Sequence, residues 1–238
     1  LNELRFYNST KHIDIQNTHH VKLNLVQGVP GCGKTTFLLN NYEENDLILF
    51  PTRDAAVDFR RRFKDKHSHY SQAKCNDTFR TVHSFLINST QHLKRGNTYK
   101  RLFIDEALML HAGEVLFAAT QSGANEVILI GDINQIPFIN RTMNIETKYH
   151  NITEIATIEK TLNTTYRCTK STTAILSKHY KQGMKTTNNV ENELEIQHFS
   201  DLESLKLNPG QNKYKFLVFK QSEKRELNKL GLKASTIH

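Results

Sequence analysis

The eight residues Gly28-Val-Pro-Gly-Cys-Gly-Lys-Thr35 constrain the fold of this chain more than any other feature. They follow the apolar run KLNLV (22–26) and precede a helix-like stretch that begins at Lys34. A glycine-rich loop between a buried-type strand and a helix is the turn of a β-α unit. The pattern then repeats. LILF (47–50) is followed by helical periodicity from Arg53 to Lys66, and RLFID (101–105) and EVILIG (126–131) flank a helical stretch at 112–121. Strands that alternate with helices predict an α/β fold with a parallel sheet covered on both faces. Functional groups then belong at the carboxyl ends of the strands.

The loop satisfies G-x-x-x-x-G-K-[ST], whose backbone N–H groups turn inward around a phosphate while the helix N-terminus adds favourable dipole charge. Gly28, Pro30, Gly31, Cys32, Gly33, Lys34, Thr35 and Thr36 are therefore the candidate nucleotide cradle. In this pattern Lys34 reaches the β- and γ-phosphates, and the Thr35 hydroxyl binds Mg²⁺, so ATP (or another NTP) and Mg²⁺ are the expected ligands. Asp105-Glu106 closes the strand LFID, where Asp105 can hold the metal and Glu106 can activate the attacking water. Gly131-Asp-Ile-Asn-Gln135 ends the next strand and offers Gln135 as a sensor of the γ-phosphate.

Among 238 residues, 32 Lys and Arg stand against 24 Asp and Glu, a formal charge of +8 that favours a polyanionic partner. Three scattered cysteines, Cys32, Cys75 and Cys168, have neither metal-site nor disulfide-framework spacing, which fits a reducing compartment. No apolar run approaches the roughly 20 residues of a membrane span, so no direct membrane insertion is expected.

GVPGCGKT, LFPTRDAAVDFRRR, TVHSF, RLFIDEALMLH, ILIGDINQIPFINR and TLNTTYR occur in the order found in superfamily 1 helicases. Over roughly residues 20–238 the chain resembles the helicase domains of alphavirus-like viral replicases, the tobamovirus type in particular. The resemblance implies two RecA-like domains with ATP in the cleft and single-stranded RNA across the top. On that frame residues 1–20 are an extension or the tail of a preceding domain. Residues 21–150 form the first RecA-like domain and 151–238 part of a second, cut short at the C-terminus. The turn to polar composition at 140–160 marks the boundary. Beyond it, helices are expected at 170–181 and 222–230 and strands at 193–199, 213–219 and 233–238.

The resemblance also implies roles for further residues. Pro51, Thr52 and Arg53, and then Thr81, His83 and Ser84, would meet RNA, because hydroxyls and Arg at strand ends suit phosphate contacts. Arg60-Arg-Arg62 and Lys64 fit a solvated helix face and RNA contact equally well. Tyr166 would pack on the adenine, and Arg167 would reach across the cleft from the second domain to the γ-phosphate. Lys34, Glu106, Gln135 and Arg167 are then the catalytic set. The family's next motif would continue with Gln-Gly, whereas the sequence stops at Thr236-Ile-His238. Weak hydrolysis by this stretch alone is therefore expected. The implied setting is a replication protein acting with other replicase domains or subunits and host factors. Its place would be the infected cell's cytoplasm, at membrane-associated replication complexes. RNA 5′-triphosphatase activity is a further implication, an ATP-gated RNA or protein clamp is the alternative, and GDINQIPF and TYRCT speak against a small P-loop kinase.

Overall fold

The computed structural model describes residues 22–93, 99–139, 149–191, 198 and 216–236. The first strand, β1 (Leu23–Gly28), leads through the glycine loop into α1 (Lys34–Asn41). β2 (Asp46–Phe50) is followed by α2 (Arg53–Lys66) and α3 (Gln72–Thr78). β3 (Phe79–Thr81) runs into α4 (Val82–Leu93), and β4 (Arg101–Ile104) leads to α5 (Ala112–Ser122) and β5 (Glu126–Gly131).

These strands and β6 (Thr157–Leu162) form a parallel sheet in the order β3-β2-β4-β5-β1-β6. Its central strands are buried on both faces, which is why they read as unbroken apolar runs. Alternate residues divide between the faces: Leu47 and Leu49 pack with α4 and α5, Ile48 and Phe50 with α1, α2 and α3. Phe59 and Phe63 on α2, spaced one turn apart, stack on each other and meet the Phe79 ring at steep angles in the second cluster. Burying one such ring stabilises by about 1.5–3 kcal/mol, so this face anchors α2 firmly. At the opposite end of the strands, Arg101 grips the buried Asp46 with two hydrogen bonds, Nε to Oδ1 at 2.9 Å and Nη2 to Oδ2 at 2.6 Å.

The boundary expected at 150/151 falls inside this unit. Backbone pairing of β6 with β1 draws the next segment into the first sheet, and the compact unit continues through the described residues to 191. A two-residue pair, β7 (Thr164–Thr165) with β8 (Lys185–Thr186), and α6 (Lys170–Ser177) complete it. α6 starts where the helix expected at 170–181 does and ends four residues short of it.

The second unit is described by β9 (Phe216–Val218), α7 (Gln221–Lys229) and β10 (Ala234–Thr236). Its strands pair in parallel, and Leu227, Leu232 and Ala234 form its core. These elements match the expected helix 222–230 and parts of the strands at 213–219 and 233–238. The strand expected at 193–199, apart from His198, lies outside the described residues, as do residues 1–20.

Candidate functional site

Six segments leave the carboxyl ends of the six parallel strands, and every candidate residue lies in one of them or is the last residue of a strand. The loop after β1 turns through two left-handed glycines, Gly31 at φ 72° and Gly33 at φ 87°. Only glycine adopts this conformation without a Cβ penalty. At Gly31 a Cβ would also stand 2.6 Å from the Cβ of Arg167 and 2.8 Å from the Thr165 hydroxyl. Gly33 then caps α1, leaving the first backbone N–H groups of the helix free of any side-chain acceptor.

The resulting cavity holds about 690 Å³ and is lined by Pro30, Gly31, Cys32, Gly33, Lys34, Thr35 and Thr36 on the cradle side. Glu106, Gln135, Tyr166 and Arg167 close it, with Arg62 from α2. Gly28 lies just beneath and accepts a hydrogen bond from Lys34 Nζ at 3.2 Å. The same ammonium stands 3.8 Å from Glu106 Oε1, so its buried charge faces a carboxylate and a carbonyl. Burial pushes the Cys32 thiol up, away from the reactive thiolate.

Asp105 sits behind Glu106, 7% exposed and outside the cavity lining. Burial, and then the neighbouring Glu106 charge, push its carboxyl from 3.8 up to about 6, although the Glu106 N–H donates to Oδ1 at 3.0 Å. A cation placed beside it would reverse that cost. Among the described residues no three His, Cys, Asp or Glu cluster as a metal cage. The donor set fits Mg²⁺ instead, which takes one or two protein oxygens and substrate phosphates. Glu106 itself holds φ 47°, a left-handed conformation costly for a residue with a side chain and concentrated at functional positions.

The turn after β5 is built on Asp132, 1% exposed. Its carboxylate accepts hydrogen bonds from Gln27 Nε2 at 2.9 Å, Asn134 N at 3.1 Å and Tyr180 Oη at 2.7 Å. Gln27 Oε1 in turn accepts from Ile133 N at 2.8 Å, so the turn that carries Gln135 is tied to β1 itself. Burial and the bond to Asp132 hold the Tyr180 hydroxyl well above its ordinary value.

Tyr166 and Arg167 come from the segment after β6, within the same compact unit as the cradle, and not across from a second lobe as expected. The Tyr166 N–H donates to Gly31 O at 2.9 Å, and the buried Thr165 hydroxyl accepts from the N–H groups of Arg167 and Cys168. The close approach at Gly31 follows from this docking. The Tyr166 side chain remains largely exposed at the rim.

Pro51, Thr52 and Arg53 follow β2, Thr81 ends the adjacent β3 opposite Phe50, and His83 and Ser84 follow it. The structure brings these two segments together, and neither lines the cavity. Thr52 caps α2 by accepting from Ala55 N, and the Thr81 hydroxyl accepts from Ser84 N at 3.1 Å. Each hydroxyl keeps its proton to donate elsewhere. Arg53 and His83 are exposed.

Sequence reasoning missed Arg62 as a cavity residue, and it missed the supporting Gln27, Thr165 and Tyr180. Gln27 carried a usable signal, a polar residue in the apolar strand LNLVQG; Tyr180 carried none.

Residues 24–238 match the family described as the viral superfamily 1 RNA helicase core domain. The replicase large subunit of tobacco rattle virus (strain SYM) is 34% identical over 221 residues, covering 90% of this chain and 12% of that protein. The replicase large subunit of tomato mosaic virus (strain S-1) is 38% identical over 213 residues, covering 88% of this chain and 13% of its own length. The chain thus spans a small part of the relatives it matches. In three dimensions a PRRSV helicase structure superposes with a TM-score of 0.52 at 14% identity, covering 100% of this chain and 49% of that one. An arterivirus nonstructural protein 10 helicase solved in complex with DNA gives 0.51 at 16%, covering 76% of this chain and 47% of that one. These two likenesses show the fold, a RecA-like α/β sheet.

Proposed function

The chain belongs to the viral superfamily 1 RNA helicase core family, and on that premise we propose that it binds and hydrolyses ATP with Mg²⁺ to drive movement on single-stranded RNA within a replicase. The observation that carries this reading is the convergence of Lys34, Glu106, Gln135 and Arg167 on one glycine-cradled cavity.

Lys34 and the N–H groups at the start of α1 hold the phosphates, and Gln135 senses the last of them. Glu106 accepts the proton of the attacking water, and Arg167 offsets the negative charge that develops on the transferred group. Thr35 and Asp105 would hold Mg²⁺, which when bound neutralises phosphate charge. Tyr166 offers an aromatic face for the base. Pro51, Thr52, Arg53, Thr81, His83 and Ser84 form the RNA-facing ends of β2 and β3, where contacts to phosphate give affinity without sequence reading. An RNA 5′-triphosphate presents the same chemistry to the cavity and is a second substrate. Replicase domains or subunits and host factors at cytoplasmic replication complexes are the proposed setting.

Paired variants test the assignment. Lys34→Ala should lose ATP binding, measured by titration with a fluorescent ATP analogue. Glu106→Gln should bind ATP normally and turn over about 10²- to 10⁴-fold more slowly. Normal hydrolysis by Glu106→Gln would place the base elsewhere.

A further inference from the structure

Three consecutive arginines on α2 have three different surroundings. Arg60 Nη1 donates to Phe79 O at 3.0 Å, and Arg61 Nη2 lies 2.7 Å from Asp58 Oδ1. Arg62 Nε lies 2.7 Å from Asp58 Oδ2, and of the three only Arg62 lines the cavity.

Its position follows from how α1 and α2 lie side by side. Both leave the carboxyl ends of parallel strands and pack on one face of the sheet, through Leu38 on α1 and Phe59 and Phe63 on α2. Lys66 Nζ donates to Asn40 Oδ1 at 2.6 Å, which ties the last turns of the two helices together. Four residues earlier on each helix, one turn closer to the cavity, stand Arg62 and Thr36. Arg62 is therefore level with the first turn of α1, the turn that begins the cradle. Glu106 and Gln135 reach the cavity from the strand-end loops instead.

We propose that Arg62 is a nucleotide-binding residue: its guanidinium contacts the bound nucleoside triphosphate from the α1–α2 side and sets affinity without entering the chemical step. The inference rests on the nucleotide reading above. A guanidinium is permanently charged and presents a planar fork of donors suited to phosphate oxygens. Asp58 holds Arg62 from its own helix one turn away, and the Arg62 side chain is 51% exposed, so turning toward a ligand needs no rearrangement of the core. Asp58 is shared with Arg61 and stays paired when Arg62 turns away. The shared carboxylate thus stores Arg62 at the cavity wall without an isolated charge in either position.

The experiment is an equilibrium titration of the chain with fluorescent ATP·Mg²⁺, beside a titration with a labelled single-stranded RNA oligonucleotide. Arg62→Ala should weaken nucleotide binding about tenfold, a typical loss for a charge-assisted contact at a half-exposed site. Arg62→Lys should recover part of it, and Arg61→Ala, which removes the same charge beside the cavity, should leave it unchanged. RNA affinity should differ little between Arg62→Ala and Arg61→Ala. Thermal melting should be unaltered in all three, because none of these side chains enters the core. If Arg62→Ala binds nucleotide like the parent while Lys34→Ala does not bind it, the Arg62 inference is overturned and the cavity reading stands. A loss confined to RNA affinity also overturns it and makes Arg62 an RNA contact. Nucleotide binding indifferent to Lys34→Ala overturns the cavity reading, and this inference with it.

Discussion

Replacing Asp105 with asparagine should stabilise the metal-free chain at neutral pH and weaken its response to ATP·Mg²⁺. The reason is the environment of the carboxyl, which is 7% exposed and raised from 3.8 to about 6 by burial and then by Glu106. Below pH 3.8 both folded and unfolded chains are protonated and the shift has no effect. Between 3.8 and about 6 the folded chain retains a proton that the unfolded chain has released, so stability falls as pH rises. Above that window the full cost is present. The displacement, 6 − 3.8, is about 2.2 pH units, and at about 1.36 kcal/mol per unit the ionised group costs about 3 kcal/mol. At pH 5 the same relation leaves about half of that cost. Asparagine keeps the oxygen that accepts the Glu106 N–H and carries no charge. Calorimetry in EDTA should therefore show Asp105→Asn melting above the parent at pH 8, by about 6 °C or more, with a smaller gain at pH 5. Addition of ATP·Mg²⁺ at pH 8 should raise the parent's transition far more than the variant's. A variant less stable than the parent at pH 8, or a gain equal at both pH values, would refute the burial reasoning.

Two further substitutions probe how the cavity is assembled. Gly31→Ala would place a methyl 2.6 Å from the Arg167 Cβ at a backbone φ of 72°, so it should displace the Tyr166–Arg167 segment. Titration should then show ATP affinity at least about tenfold weaker, with a lower melting temperature; parental affinity would mean that the docking does not shape the site. Tyr180→Phe removes the 2.7 Å hydrogen bond to Asp132 and leaves Gln27 and Asn134 as donors. It should cost about 1–3 kcal/mol in urea unfolding and lower kcat more than it raises KM, since the turn it braces carries Gln135. A change in KM alone would assign Tyr180 to substrate binding instead.

Much of the fold was legible because the signals are local. Apolar runs ending in GVPGCGKT, DE and GDINQ mark β1, β4 and β5, and strand ends in a parallel sheet bring their loops to one edge. α4 escaped notice, as did β6. In β6 the residues Thr157, Ile158, Glu159 and Lys160 are all exposed, so this edge strand has no apolar pattern, and it joins β1 through backbone pairing, with Leu162 at its end packed on the neighbouring core. Backbone pairing leaves no trace in side-chain composition, so by composition the polar segment reads as a domain boundary.

The candidate site divides along the same line. The residue types at Lys34, Thr35, Asp105 and Glu106 were set by the sequence alone, because each stands at a fixed offset from a strand end and its chemistry needs nothing distant. Which side chains share the cavity was decided by tertiary structure. Arg60, Arg61 and Arg62 are one run of identical residues, and their fates separate only when α2 packs against α1 and β3. Arg167 reads as a visitor from a second lobe until β6 places it against Gly31. Contacts between residues more than a hundred positions apart depend on chain closure and packing, which no short stretch of the sequence encodes.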